Sequence, residues 1–309
     1  MTVGLSQYEM NHDVLAALRY VREFHGTTIV VKLGGSVLQD EGLLHSICRD
    51  LSMIRKVGVA VVVVHGGGPE INQELTRRGI EWSFVNGLRV TTPEMMEVVE
   101  MVLCGKVNRR IVRALGEAGL KPVGFSGADA ATLVCKASDA KLGRVGEIER
   151  VGTRLINDVL AIEDELGVRG IPVLAPVGLG RDGLSYNINA DWAASRVATE
   201  LGVTKMLFLT DQDGILDPQG KLLPELDAGE LEQLIEDGVV KGGMLAKAQT
   251  ILHALKNRVT NVHVLNARRP HALIEELFTD RGVGTVCRLR SRATAEDFSE
   301  KYAEESWSN

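Results

Sequence analysis

Four short runs of this chain, at 29–33, 59–64, 171–175 and 206–209, are almost continuously apolar. A strand with one wet face alternates apolar and polar residues. Runs this uniform belong to strands covered on both faces, as in a parallel sheet between helical layers. Helical patterning lies between and beyond them, at 94–117, 190–201, 230–236 and 245–255. The alternation predicts an α/β fold, a three-layer α/β/α sandwich with a mainly parallel central sheet. Such sheets bind ligands beyond the carboxyl ends of their strands, so Gly-rich strand-to-helix turns are where chemistry is expected. With 309 residues there is chain enough for one large domain or two fused lobes.

Charge and cysteine content exclude several classes. The net charge of −6 argues against non-specific nucleic-acid binding, which recruits basic surfaces. Cys48, Cys104, Cys135 and Cys287 show no CxxC spacing and read as reduced thiols, neither a disulfide framework nor a metal site. No apolar run approaches the roughly 18 residues of a membrane span, and the first 26 residues lack a signal-peptide core. A cytoplasmic protein without a membrane span is expected.

Six motifs carry candidate chemistry. In the first, an apolar strand delivers Lys32 to a turn with Gly34 and Gly35. Glycines let backbone N–H groups approach an anion, and the ammonium would reach the same anion. A tight structural turn would explain these glycines equally well. The second, HGGGP at 65–69, follows a buried strand. Three consecutive glycines are conformationally costly, so here the backbone is expected to pass close to a ligand, with a phosphate held by the amides of Gly66 and Gly67. His65 reads as structural. The third runs from Asn86 to Glu94. Thr92 caps a helix that Pro93 opens, and Arg89 in the preceding loop has the planar fork that suits a carboxylate; a plain salt bridge is the alternative.

In the fourth, Asn187 and Asn189 stand two apart in an extended segment, so both amides face one side, and Asp191 follows at a helix start. They would hold a substrate and orient lysines, or merely cap the helix. In the fifth, a buried strand ends on Thr210 and Asp211, a place for nucleotide or for a lysine-orienting carboxylate, although a plain turn also favours Asp and Gly. In the sixth, Gly242 and Gly243 precede a helix with Lys247 about a turn in, where it would meet a phosphate. There is no Ser-His-Asp pattern, no metal-ligand cluster and no GxGxxG. Glycine turns with lysines suit phosphoryl transfer, which needs charge neutralisation and positioning more than covalent chemistry.

In this order and spacing, KLGGS (32–36), HGGGP (65–69), NGLRVT (86–91), NINAD (187–191), TDQDGILD (210–217) and GGMLAKA (242–248) resemble the N-acetylglutamate kinases of the amino acid kinase family. The likeness spans roughly residues 27–290; GLRVT with NxNAD is its most specific part. It implies ATP-dependent phosphorylation of the side-chain carboxylate of N-acetylglutamate, for arginine biosynthesis. Lys32 and Lys247 match the lysines that stabilise the transferring phosphoryl group. Gly34, Gly35, Gly66 and Gly67 match its cradling amides, and Arg89 matches the grip on the substrate α-carboxylate. Asn187 and Asn189 match the substrate-side amides; Asp191 and Asp211 match lysine-orienting carboxylates. The likeness also implies Mg²⁺ held by ATP phosphates, with no protein metal site. It further implies a substrate lobe at 27–177 and an ATP lobe at 178–290, flanked by a helical arm at 1–26 and a polar tail at 291–309.

Some family members form hexamers through an N-terminal helix and are inhibited by arginine. Residues 8–24 have such amphipathic spacing (Val14, Ala17, Leu18, Val21, Phe24), and Arg281 to Thr285 resembles the inhibitor-side stretch. A homo-oligomer with arginine feedback is the resulting expectation; a helix packed only on its own domain is the alternative. The residues do not decide whether a PII-type signal protein binds. Ala128 and Ala130 stand where many members have Lys and Gly. That departure leaves room for another acyl-amino-acid substrate. An aminoadipate-type kinase and an inactive ATP- or arginine-sensing homologue are the rival readings.

Overall fold

The computed structural model describes residues 7–165, 167–280 and 282–289. Arg281, the tail at 291–309 and the side chain of Val14 lie outside the described residues. Helix α1 (Gln7–Phe24) precedes strand β1 (Thr28–Leu33), helix α2 (Glu41–Lys56), β2 (Ala60–His65) and α3 (Gly68–Arg77). A hairpin of β3 (Phe84–Val85) and β4 (Leu88–Arg89) leads to α4 (Pro93–Glu100), a π-helical stretch (Met101–Val107) and α5 (Asn108–Glu117). Then come β5 (Lys121–Ser126), β6 (Leu133–Ala137), β7 (Gly146–Val151), α6 (Arg154–Leu160), β8 (Gly170–Ala175), β9 (Val177–Gly180) and β10 (Ser185–Asn187). The remainder is α7 (Ala190–Leu201), β11 (Lys205–Thr210), β12 (Glu225–Asp227), α8 (Ala228–Glu236), α9 (Gly242–Lys256), β13 (Asn261–Asn266), α10 (Ala272–Phe278) and β14 (Thr285–Arg288).

Eight strands form the main sheet in the order β12-β14-β13-β11-β1-β2-β8-β5. Every neighbouring pair is parallel except β13 with β14. The expected sandwich is therefore present, and the four apolar runs are four adjacent interior strands, β11-β1-β2-β8. Along β1 the side chains alternate between two cores. Ile29, Val31 and Leu33 join Leu51 of α2, Ile111 of α5 and Leu273 of α10. Val30 joins Val197 of α7 and Ile251 of α9. Each such side chain contributes roughly 1.5–3 kcal/mol on burial. The period of two places Lys32 on the face of Val30, toward α7 and α9, at the carboxyl end of the strand. Because β2 and β11 flank β1 on opposite sides, the chain winds away in both directions from this point, and a crevice opens there.

A smaller sheet, β10-β9-β6-β7, and the β3–β4 hairpin stand over that end. Isolated bridges Thr91↔Gly143 and Val145↔Asn187 tie them together. The helix expected over 94–117 is present with a π-helical interruption at Met101–Val107, a stretch that contains Gly105. Helix α9 starts at Gly242, so its two glycines lie inside the first turn and not before it.

Helix α1 packs on its own chain through Tyr20 and Phe24, whose rings stack, and Phe24 also meets Phe278 of α10. Arg19 and Tyr20 both donate to Asp280. Its Leu15 and Leu18 are 68% and 61% exposed. All four cysteines are free thiols. Among the described residues no helix is long and apolar enough to cross a membrane.

Candidate active site

At the carboxyl ends of β1, β2 and β11 two lysines meet one carboxylate. Lys32 Nζ, from β1, lies 2.7 Å from Asp191 Oδ1. Lys247 Nζ, from α9, donates to Asp191 Oδ2 at 2.9 Å. The three side chains are only 10%, 9% and 15% exposed. Burial pushes the Asp191 carboxyl up, but the two ammonium groups outweigh it and hold the acid well below the usual carboxylate range. Burial lowers the Lys247 ammonium, with Asp191 opposing that shift. Lys247 also lies over the ring of Phe208, at 4.5 Å from its centroid. Two cations share one anion, so the cluster carries a net positive charge with little water to dilute it. A transferring phosphoryl group is a chemical match for such a cluster.

Beside the lysines the two glycine turns abut. A Cβ on Gly34 would lie 2.9 Å from Leu209 O, and one on Gly35 would lie 2.7 Å from Pro69 Cδ and 3.2 Å from Gly68 N. These glycines are thus needed for backbone-on-backbone packing as well as for ligand approach. Their amides divide in two. Gly34 N–H donates to Leu209 O and Gly66 N–H to Leu33 O, each at 2.9 Å, continuing the strand ladders. Among the described residues, no acceptor faces the N–H groups of Gly35, Gly67 and Gly68. Gly68 opens α3 behind the N-cap Gly67, and Pro69 sits in its first turn. Gly68, the third glycine of the same triple, joins Gly66 and Gly67 in lining the pocket.

Across a pocket of about 270 Å³ that these glycines line with Lys32 and Asp191 stands Arg89. The β3–β4 hairpin presents it beneath two aromatic rings, with Phe84 and Trp82 centroids 4.7 and 5.4 Å from its Cζ. Nη2 donates to Gly68 O at 3.3 Å and also to Asn72 Oδ1. Nη1 is buried and has no acceptor among the described residues. Burial lowers this guanidinium to about 10, and no acidic side chain offsets the shift. A guanidinium that lines a pocket with no acidic side chain to neutralise it suits an anionic ligand group.

Asn187 and Asn189 line the same pocket. Asn187 Nδ2 donates to Thr91 Oγ1 at 3.1 Å. Asn189 caps α7: its Oδ1 accepts from the N–H groups of Asp191 and Trp192, which leaves Nδ2 for a ligand. The capping alternative therefore applies to Asn189, while Asp191 in the first turn is held between the lysines. Thr210 is buried at the end of β11 and donates to Asp211 Oδ1 at 3.2 Å. Asp211 is exposed; desolvation pushes it up, while hydrogen bonds from its own backbone, Gln212, Thr210 and Ser36 prevail and lower it. Its charge adds to that of Asp191 in opposing the lowering of Lys247. Helix α9 begins without a side-chain cap, and a Cβ on Gly242 or Gly243 would meet nothing within 4 Å. No group of three or more His, Cys, Asp or Glu side chains placed to hold a metal lies among the described residues.

Comparison with known proteins agrees with this geometry. The model of the amino acid kinase family matches residues 27–266. An acetylglutamate kinase from Campylobacter curvus is 45% identical over 276 residues, covering 89% of this chain and 96% of that relative. One from Bordetella avium is 45% identical over 280 residues, covering 87% and 91%. Among solved structures, N-acetylglutamate synthase from Neisseria gonorrhoeae, in complex with coenzyme A and N-acetylglutamate, superposes with a TM-score of 0.79 at 25% identity, covering 95% of this chain and 68% of that one. A phosphoryl-sized cationic cluster, a cradle of glycine amides and these likenesses have one common reading: the chain belongs to the amino acid kinase family, in the branch formed by the acetylglutamate kinases.

Proposed function

We propose that this chain transfers the γ-phosphoryl group of ATP to the side-chain carboxylate of N-acetyl-L-glutamate, giving N-acetylglutamyl 5-phosphate for arginine biosynthesis. Within that reading, Arg89 Nη1 and Asn189 Nδ2 take the substrate α-carboxylate and its neighbouring groups. The side-chain carboxylate is thereby aimed at the glycine cradle, where one of its oxygens attacks the γ-phosphorus. The bond from that phosphorus to the β–γ bridging oxygen breaks, and ADP leaves with both electrons. No proton moves. Lys32 and Lys247 neutralise the charge that builds on the transferring group, and Asp191 keeps the two ammoniums from driving each other apart. The N–H groups of Gly35, Gly67 and Gly68 hold phosphoryl oxygens. Magnesium, bound to ATP phosphates, supplies further charge neutralisation when present; the first-turn amides of Gly242 and Gly243 suit the nucleotide side. Residues 27–177 form the substrate lobe and 178–290 the ATP lobe.

The orphaned Arg89 Nη1 carries the acyl-amino-acid part of this reading, because a buried guanidinium facing a small pocket asks for a carboxylate. The test is steady-state ADP release with N-acetylglutamate, N-acetylaspartate, N-acetyl-aminoadipate and glutamate. A preference of at least about 10-fold in kcat/KM for N-acetylglutamate over its one-methylene homologues is expected from pocket fit. Equal rates, or a preference for the aminoadipate compound, would overturn the assignment.

The chain further forms a homo-oligomer through α1 and binds arginine as a feedback inhibitor in the cleft between α1 and the C-terminal strands. That cleft is lined by Arg19, Tyr20, His263, Glu276, Gly282 and Gly284. Exposed Leu15 and Leu18 suit a helix that docks on a neighbour. Light scattering showing a dimer or a hexamer is expected; a monomer, with activity indifferent to millimolar arginine, would refute this.

A further inference from the structure

His65 lies in the second glycine motif, is fully buried and takes no part in the mechanism above. Its surroundings determine its tautomer. Asn108, also fully buried, begins α5 where the π-helical stretch ends. Arg109 Nη2 donates to Asn108 Oδ1 at 2.5 Å, which fixes the amide orientation. Asn108 Nδ2 then donates to Val173 O at 2.9 Å and to His65 Nε2 at 3.1 Å. Because Nε2 accepts, the proton of the neutral ring sits on Nδ1, and Nδ1 donates to Gly66 O at 2.9 Å. The imidazole stays neutral because burial lowers it to about 4.

The held carbonyl belongs to the peptide that joins Gly66 to Gly67. In a trans peptide the C=O and the following N–H point in opposite directions. Fixing Gly66 O against the buried ring therefore turns the N–H of Gly67 away from it, on the side where Gly66, Gly67 and Gly68 line the pocket. Glycine peptides rotate easily, so an amide in this triple glycine needs an external hold to be preorganised. The π-helical stretch supplies a second hold: Leu103 Cδ2 and Val107 Cγ2 lie 2.7 and 3.2 Å from where a Gly67 Cβ would be.

We infer that His65 is a positioning residue for phosphoryl transfer, locking the Gly66–Gly67 peptide so that the Gly67 amide is aimed at the transferring group. The inference rests on the kinase reading above. Its test separates the two hydrogen bonds of the ring. In His65→Asn the amide nitrogen takes the place of Nδ1 and keeps the bond to Gly66 O. In His65→Gln the amide takes the place of Nε2 and keeps the bond to Asn108 only. Kinetics with ATP and N-acetylglutamate, alongside thermal melts, should show kcat of His65→Gln down about 100-fold, the size of loss for a displaced catalytic contact. KM for ATP should change less than about threefold, and His65→Asn should recover at least about 10-fold of the lost kcat. A Gln variant as active as the Asn variant, or losses in kcat that follow the melting temperatures, would overturn the inference. A wild-type protein that turns over no N-acetylglutamate would instead overturn the kinase reading.

Discussion

Lys32, Asp191 and Lys247 come from positions 56 or more residues apart and meet within hydrogen-bonding range only because β1, α7 and α9 share one face of the sheet. Removing either lysine should reduce kcat by about 10²–10³, the loss that follows removal of one preorganised electrostatic donor. Single-turnover rates of folded Lys32→Ala and Lys247→Ala check this. Arg89→Lys keeps the charge and loses the fork and the stacking on Phe84 and Trp82. KM for N-acetylglutamate should rise about 10- to 100-fold with a smaller change in kcat, read from steady-state kinetics. His65 predicts a pH effect. Its ordinary value of 6.5 falls to about 4 in the fold. Between those values the unfolded chain binds the proton and the folded one does not, so stability falls as pH drops through this window. The loss should reach about 3 kcal/mol and be missing in His65→Asn, as chemical denaturation at pH 7 and pH 4 would reveal. These residues differ in how legible they were. Lys32, Arg89 and Asp191 stood out as candidates, because a charge beside a buried strand or a glycine turn needs a reason, although a tight turn, a salt bridge or a helix cap was an alternative at each. His65 read as structural because its role depends on Asn108, 43 residues away. Which glycine amides are free also could not be read: Gly34 and Gly66 are engaged by Leu209 and Leu33, partners set only by the strand order.

At the scale of elements, the central strands were readable because burial on both faces removes the polar alternation. The outer strands were not. β5 contains Pro122 and Gly124, residues disfavoured in a strand interior, and Pro122 is tolerated because β5 is the edge of the sheet. β13, with the sequence NVHVLN, has the alternation of a half-wet strand, yet His263 is buried against Glu276 at 2.6 Å. The π-helical stretch between α4 and α5 has only Gly105 to mark it in the sequence, and its Leu103 and Val107 press against the Gly67 turn. The abutting glycine turns give a contrast between neighbours. Gly35→Ala places a methyl 2.7 Å from the rigid ring of Pro69, whereas a Cβ on Gly68 meets nothing within 4 Å. Gly35→Ala should therefore cost about 1–3 kcal/mol in denaturant unfolding, and Gly68→Ala less than about 1 kcal/mol. Equal losses would mean that packing does not dictate the Gly35 position.

At the scale of the whole molecule, the chain is an α/β sandwich whose switch point at β1 gathers a cationic cluster, a run of glycine amides and the buried Arg89 around one small pocket. Fold class was legible because it follows from periodicity alone. The convergence was legible only through the family likeness, since no pattern in the sequence states that α9 lies against β1. The group that accepts the phosphoryl in the proposed reaction is the side-chain carboxylate of N-acetylglutamate. The most direct test adds hydroxylamine to the protein with ATP, magnesium and N-acetylglutamate, and measures the resulting hydroxamate by mass spectrometry beside the ADP released. The N-acetylglutamate side-chain hydroxamate is expected in one-to-one ratio with ADP; ADP released without hydroxamate, or hydroxamate on another acceptor in preference, would show that the side-chain carboxylate of N-acetylglutamate is not the acceptor.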